Sequence, residues 1–134
     1  DDDPEVPQKG FIGHLEDVEN YLAVFSVFCL PSYREGLPRS IIEAMSLKLP
    51  VITTNIRGCR ELIKDKVNGF IVPIKNSELI NFRINTLYNS KKLRDKMGEK
   101  NLKKVIKFYN EKNIINKQLN HIYKLLNEKN TSYN

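Results

Sequence analysis

The pattern of apolar and polar residues divides the chain into short strand-like runs and longer segments with helical spacing. A continuous apolar run at residues 27–30 predicts a strand that is buried on both faces, as in a parallel sheet. Residues 51–54, which are rich in β-branched side chains, and residues 70–73 predict two further strands. A shorter run at residues 9–13 ends in glycine and predicts one more strand. Apolar residues spaced three or four apart predict helices over residues 15–25, 38–49, 59–64, 77–88, 93–109 and 111–126.

Proline, glycine and serine mark the ends of these predicted helices. Pro38 suits the first turn of a helix, and Pro50 ends the same helix. Gly58 is expected to precede the short helix at 59–64, and Ser77 is expected to be an N-cap.

The alternation of strands and helices predicts the fold class. Strand, helix, strand, helix and strand in succession are typical of an α/β domain with an open, mostly parallel, Rossmann-like sheet and flanking helices. We expect one such domain over residues 9–126. Residues 1–8 are expected to be a disordered or truncated start, and residues 127–134 a polar tail.

Charge is distributed unevenly, and this leaves the range of partners open. Residues 1–90 carry 10 Lys and Arg against 12 Asp and Glu, whereas residues 91–134 carry 12 against 4. A basic segment of this kind is either a solvated helical face or a surface that attracts an anionic membrane or another polyanion. No nucleic-acid-binding motif with interleaved aromatic and basic residues is present, so no nucleic-acid partner is expected.

The remaining composition indicates a cytoplasmic protein without a metal site. Cys29 and Cys59 form no CxxC pattern and predict reduced thiols, while His14 and His121 are too far apart in sequence to suggest metal ligands. We see no signal peptide and no apolar run of about 18 residues. The expected location is cytoplasmic, with peripheral contact at the inner membrane face left open by the basic segment.

The loop at residues 31–40 is the strongest candidate for chemistry. It follows a predicted buried strand and leads into a helix, and ligands of open α/β sheets bind at this position. The helix N-terminus favours an anion such as a diphosphate, and Gly36 lets the backbone approach a ligand closely. Glu35 and Glu43 can accept hydrogen bonds from hydroxyl groups at either end of such an anion. Taken alone, these two residues also fit a purely structural role, since glutamate is common near helix N-termini.

Five segments, in order along the chain, together resemble a known protein family. The E-x7-E motif of Glu35 and Glu43, within EGLPRSIIEAM, resembles the C-terminal, donor-binding domain of family 4 glycosyltransferases, which have the GT-B fold. The resemblance covers residues 9–125. Its other segments are FIG with Asp17, FCLPS, PVITT followed by GCRE, and NGFIVP.

The resemblance implies a role for each matching residue. Glu35 would contact the donor sugar at the catalytic centre, and Glu43 would hold the ribose. The start of the helix would bind the sugar and diphosphate, largely through backbone groups, and Gly13 would lie near the base. The residues implied at the helix start are Gly36, Leu37, Pro38 and Arg39. The donor would be a nucleotide-sugar, with UDP expected, transfer would retain configuration, and no metal or other cofactor is implied.

The sequence also departs from the family. The first strand of the family's domain, with an Arg and a Lys that grip the diphosphate, has no match, and neither has the acceptor-binding N-terminal domain. We therefore expect a fragment, a truncated reading frame or a subunit that needs a partner, inactive alone. Lys48 stands where the family has a small residue, which puts the end of the helix in doubt.

Three other interpretations compete with the transferase. Half of a GT-B sugar-nucleotide epimerase would share the fold, but it would need acid and base residues that the chain does not display. A non-catalytic nucleotide-sugar-binding remnant or regulator would keep the fold without the reaction. A nucleic-acid-binding protein would rest only on the basic residues 91–129.

Overall fold

A computed structural model describes residues 21–110, together with Glu16 and Lys112. The predictions for Gly13, for the strand at 9–13, for the helix at 111–126 and for both termini lie outside these residues. The described elements, in chain order, are β1 (Phe28–Leu30), α1 (Arg39–Ser46), β2 (Val51–Thr54), α2 (Arg57–Leu62), β3 (Gly69–Val72), α3 (Ser77–Tyr88) and α4 (Lys91–Phe108).

The three strands form a parallel sheet in the order β1-β2-β3. Phe28 lies opposite Val51, and Ile52 lies opposite Phe70. Helix α1 connects β1 to β2, and α2 connects β2 to β3, so each parallel pair is joined by a helical crossover. Every residue of β2 is buried, as expected for a central strand with helices on both faces. The predicted fold class, a Rossmann-like open sheet as in the C-terminal half of GT-B enzymes, is confirmed.

Two apolar clusters hold the helices against the sheet. One joins Ile41 and Met45 of α1 and Leu62 of α2 to the sheet through Val51. The other joins α3 to the opposite side of β2 through Leu87 and Ile52. Helix α4 contributes Met97 to the second cluster and Val105 to the first, so it ties the two layers together. No helix within residues 21–110 is long and apolar enough to cross a membrane.

Several predicted boundaries need correction. Helix α2 begins at Arg57, so Gly58 lies inside the helix and does not precede it. The cap of α3 is Asn76, whose side chain accepts a hydrogen bond from the Leu79 N–H at 2.9 Å, and Ser77 is the first helical residue. The helix predicted at 15–25 ends at Leu22. A turn follows, and Phe25 is exposed and lies outside the helix.

Helix α1 ends earlier than Pro50, in a Schellman motif. The Lys48 N–H donates to the Met45 carbonyl and the Leu49 N–H donates to the Ala44 carbonyl, so both helix-terminal carbonyls are satisfied. Leu49 is buried against α1, which adds the apolar contact typical of this motif. The motif requires a left-handed residue at its turn, and Lys48 adopts that conformation with a φ of 59°. The doubt that Lys48 raised about the helix end is thereby resolved, because Lys48 itself adopts the left-handed conformation and the helix ends in a regular motif.

A stability prediction follows from this turn. We expect Lys48→Gly to raise the free energy of unfolding by about 1 kcal/mol, because glycine has no Cβ penalty at positive φ. Chemical denaturation followed by circular dichroism measures the change. Lys48→Ala is the matched control, since it also removes the exposed ion pair with Glu99 but keeps the strained backbone. Equal stabilities of the glycine and alanine variants would contradict the explanation.

Candidate active site at the carboxyl edge of the sheet

The loops that follow β1, β2 and β3 meet at one edge of the sheet. Because the strands are parallel, their carboxyl ends lie side by side, and helices α1, α2 and α3 all begin there. The loop at 31–38, which contains most of the predicted site residues, is one of the three. The predicted location of the site therefore agrees with the topology.

Hydrogen bonds fix the start of this loop and orient Glu35. The Ser32 hydroxyl donates to Glu35 Oε1 at 2.8 Å, which ties the carboxylate to the base of the loop. The Thr54 hydroxyl, at the end of β2, donates to the Ser32 carbonyl. Glu35 is half-buried and has no ion-pair partner among residues 21–110, so its second oxygen can accept hydrogen bonds from a ligand.

The loop also packs against α2 at very short range. A Cβ atom added at Gly58 would lie 2.7 Å from the Glu35 carbonyl oxygen and closer still to the Gly36 carbonyl oxygen. Only glycine fits at this contact, because both obstacles are backbone atoms. Gly58 thus lets α2 support the segment that presents Glu35.

A buried polar pair lies beneath the same segment. The Thr53 hydroxyl is within 2.9 Å of the Leu30 carbonyl and 3.0 Å of Cys59 Sγ. Burial raises the pKa of the Cys59 thiol, the hydrogen bond with Thr53 opposes this, and the nearby Glu35 carboxylate raises the pKa further. The thiol is therefore protonated at neutral pH and supports structure, not nucleophilic chemistry. Both cysteines are free in the structure, Cys29 half-buried and Cys59 buried.

The N-terminus of α1 is open to a ligand. Pro38 occupies the N-cap position and offers no side-chain hydrogen bond, whereas Asn76 caps α3 and Ser90 caps α4. The first backbone N–H groups of α1, starting with that of Arg39, consequently have no side-chain acceptor. An uncapped helix start of this kind favours an anionic ligand.

The other predicted residues surround this helix start. Gly36 and Leu37 are exposed, and a Cβ atom at Gly36 would meet nothing within 4 Å, so the loop has room for a ligand. Pro38 is buried and ends the loop at the N-cap position of α1. Arg39 and Glu43 lie one helical turn apart on the outer side of α1, and Glu43 is half-buried.

An open cavity of about 540 Å³ borders the loop and was not predicted. It lies where the ends of β1 and β2 meet the start of α3, and Thr54 connects it to the Ser32–Glu35 segment. Its lining residues are Pro31, Tyr33, Thr54, Lys75, Asn76, Ser77 and Ile80. Lys75 and Tyr33 are separated by 41 residues in the sequence, so their proximity could not be predicted without the order of the parallel strands.

Four cations lie in the three loops at this edge or at the helix starts that follow them. Arg34 is exposed in the first loop, and Arg39 is the first residue of α1. Arg57 is the first residue of α2, where it makes a long 3.6 Å ion pair with Glu61, and Lys75 precedes α3. These residues supply positive charge near the helix starts, although the Arg and Lys of the resembled family have no match in the chain.

Comparison with known proteins agrees with this architecture. The sequence model of the family "Glycosyl transferases group 1" matches residues 7–104. The capsular polysaccharide biosynthesis glycosyltransferase CapM of Staphylococcus aureus is 34% identical over 99 residues, which are 74% of this chain and 26% of CapM. An Escherichia coli enzyme, UDP-Gal:alpha-D-GlcNAc-diphosphoundecaprenol alpha-1,3-galactosyltransferase, is 40% identical over 65 residues, which are 48% of this chain and 17% of that enzyme.

A solved structure shows the same fold. A mutant of S. aureus TarM, crystallised with UDP among its ligands, superposes with a TM-score of 0.76 at 30% identity and covers 81% of this chain and 22% of TarM. The chain thus spans about a quarter of the length of CapM and TarM. Since the family model matches most of the chain, this protein belongs to the glycosyl transferases group 1 family.

Proposed function

We propose that the chain is the donor-binding part of a retaining, family 4 hexosyltransferase that moves a sugar from a UDP-sugar to a glycan or a lipid-linked acceptor. The main observation behind this proposal is that the N-terminus of α1 has no side-chain cap and lies beside the Glu35 carboxylate, which accepts a hydrogen bond from Ser32. An open anion site next to an oriented hydrogen-bond acceptor matches a ligand with a diphosphate and a sugar. The UDP complex of TarM and the UDP-Gal donor in the name of the E. coli relative support UDP as the nucleotide.

Each residue has a defined task in this proposal. The free N–H groups at the start of α1 bind the diphosphate, and Glu35 accepts hydrogen bonds from the hydroxyls of the sugar. Glu43, farther along α1, accepts hydrogen bonds from the ribose. Gly36 and Leu37 leave space for the sugar between these points. Gly13, near the base in the same proposal, lies outside the described residues.

Rate acceleration would come from charge that develops on the leaving nucleotide. As the bond from sugar to phosphate breaks, negative charge grows on the diphosphate, and fixed dipoles aimed at that charge stabilise the transition state. The start of α1 supplies such dipoles, while Arg39 and Arg57 supply positive charge at the adjoining helix starts. We propose that these groups act without a metal, which an assay with and without a chelator would check.

Acceptor binding and turnover are assigned to another part of the enzyme. The chain spans about a quarter of CapM and TarM, so we propose that an acceptor-binding domain or partner subunit completes the site, and that these 134 residues alone have no transferase activity. The polysaccharide-related name of CapM and the diphosphoundecaprenol-linked acceptor of the E. coli relative support a role in polysaccharide or glycoconjugate synthesis.

Ligand-observed NMR with a panel of UDP- and GDP-sugars tests the donor site directly. We expect one nucleotide class to bind and Glu35→Ala and Glu43→Ala each to weaken binding about 10- to 100-fold, because each removes hydrogen bonds to an ionised acceptor. Glu99→Ala, a glutamate on the exposed side of α4, is the matched control and should bind as the parent does.

The outcomes separate the competing functions. Binding that is unchanged in both site variants would overturn the donor-site assignment. Binding lost in both variants, without transfer when the acceptor half is added, would indicate a non-catalytic nucleotide-sugar module. Interconversion of one sugar-nucleotide into another would indicate the epimerase, and robust transfer by this chain alone would overturn the need for a second part.

A further inference from the structure

A row of lysines occupies the exposed side of α4. Lys92, Lys96, Lys100 and Lys103, the lysine stripe, follow one another at intervals of four, four and three residues, so they project from one side of the helix. All four are exposed, and they lie opposite the buried side that packs on the core. The stripe extends over about 17 Å along the helix axis.

The acidic residues of α4 do not neutralise the stripe. Asp95 binds Lys91 at 2.7 Å, and Glu99 binds Lys48 at 2.8 Å, so each carboxylate already has a lysine from outside the stripe. Glu99 also interacts electrostatically with Lys103, but less strongly than with Lys48, so only one end of the stripe is partly offset. None of the four stripe ammonium groups makes an ion pair with any other residue in the part of the chain that the structure describes. Like charges one turn apart repel and destabilise a helix, so an external polyanion would relieve a repulsion that the fold itself leaves in place.

We infer that the lysine stripe docks this domain on the surface of a bilayer that contains anionic lipids. A straight helix face presents its ammonium groups to a plane together, and clustered lysines beside a membrane are attracted by anionic headgroups. The stripe contains no arginine, the residue favoured for bidentate recognition of nucleic-acid bases and phosphates. The choice of a membrane also rests on the proposed function, because a lipid-linked acceptor, as in the name of the E. coli relative, would be reached at a bilayer.

Sedimentation of the 134-residue chain with vesicles tests the inference. The vesicles consist either of phosphatidylcholine alone or of phosphatidylcholine mixed with phosphatidylglycerol. We expect binding only to the anionic vesicles, and we expect it to weaken steeply as salt shortens the Debye length. Each lysine is expected to contribute about fivefold to binding. Neutralising all four with Lys92→Gln, Lys96→Gln, Lys100→Gln and Lys103→Gln should therefore weaken binding about 600-fold.

A second variant controls for net charge. Lys64→Gln and Lys66→Gln remove two charges from exposed positions outside the stripe and leave the ion pairs of Asp95 and Glu99 in place. They should weaken binding far less than Lys96→Gln combined with Lys100→Gln, which removes the same number of charges from the stripe. Circular dichroism confirms that both variants are folded. An equal loss in the two variants would overturn the stripe as the docking surface, and so would binding to neutral vesicles that the stripe variant retains.

Two further measurements separate this inference from its rivals. If the chain bound double-stranded RNA at physiological salt through the stripe but did not bind anionic vesicles, the surface would be a nucleic-acid site and the inference would be wrong. UDP-sugar binding, measured by NMR on the same samples, should be unchanged in the stripe variant. If the parent chain bound anionic vesicles but bound no UDP-sugar, the proposed function would be rejected. The assignment of the stripe as a docking surface would be unaffected.

Discussion

Replacing Gly58 by alanine is expected to lower the free energy of unfolding by about 2–3 kcal/mol and to weaken donor binding. In an ordinary helix, glycine-to-alanine substitution stabilises, since alanine is the better helix former. Here the added Cβ would lie 2.7 Å from the Glu35 carbonyl oxygen and closer to that of Gly36. Backbone atoms cannot rotate away as a side chain can, so either α2 or the loop must shift, and the steric cost outweighs the gain in helix propensity.

The loop that must shift is the one that presents Glu35. A displacement there would alter the hydrogen bond from Ser32 and the approach to the start of α1. We therefore expect reduced affinity for the UDP-sugar even under conditions where the variant remains folded. Denaturant titration measures the stability, and ligand-observed NMR measures the affinity of the folded variant.

Gly36→Ala is the matched control for stability. It is the same chemical change on the loop side of the contact between α2 and the loop. Its added Cβ would have no atom within 4 Å, so the unfolding free energy should change by less than about 0.5 kcal/mol. Its effect on donor binding is a separate measure of how closely the sugar approaches the loop. If Gly58→Ala were as stable as Gly36→Ala, the tight packing of α2 on the loop would be refuted.

Strands and fold class were predictable because they depend on local patterns. The strands predicted at 27–30, 51–54 and 70–73 became β1, β2 and β3 with shifts of one residue or none, since short runs of apolar and β-branched side chains leave a clear signal. The loop with Glu35 could be placed for a related reason. Once parallel strands are predicted, the carboxyl edge is where ligands bind.

Other features depended on packing that the sequence pattern does not contain. Gly58 was expected to precede the helix, but it lies inside α2, where the close approach of the Glu35–Gly36 backbone requires glycine. Asn76 and Ser77 both suit an N-cap, and only the backbone geometry decided between them. The cavity beside Tyr33 and Lys75 needed the strand order before its walls could be assigned.

Asn101 is the clearest case, because it is a polar residue at the centre of the fold. It lies in the middle of α4 and is fully buried, although a pattern of apolar positions assigns no role to it. Its Nδ2 donates to the Leu49 carbonyl at 2.7 Å and to the Asn68 carbonyl at 2.9 Å. Its Oδ1 accepts from Asn68 Nδ2 at 2.7 Å, so one side chain ties α4 to the segments that lead into β2 and β3.

We expect Asn101→Ala to lower the free energy of unfolding by about 4 kcal/mol, the largest effect predicted for any single substitution in this chain. The variant leaves two buried carbonyls and one buried amide without this partner, and each unsatisfied group costs about 1–3 kcal/mol. Alanine's higher helix propensity returns only about 0.7 kcal/mol. Since domains of this size have about 5–15 kcal/mol in total, the variant should be close to the limit of folding.

The design of the experiment allows for this marginal stability. Asn81→Ala, the same change at an exposed position of α3, is the control and should alter the unfolding free energy by less than about 0.5 kcal/mol. Asn68→Ala combined with Asn101→Ala should cost less than the sum of the single variants, because the two side chains share one hydrogen bond and neighbouring partners. Strict additivity of the two, or an Asn101→Ala chain as stable as the control, would show that the buried pair does not hold α4 against the sheet.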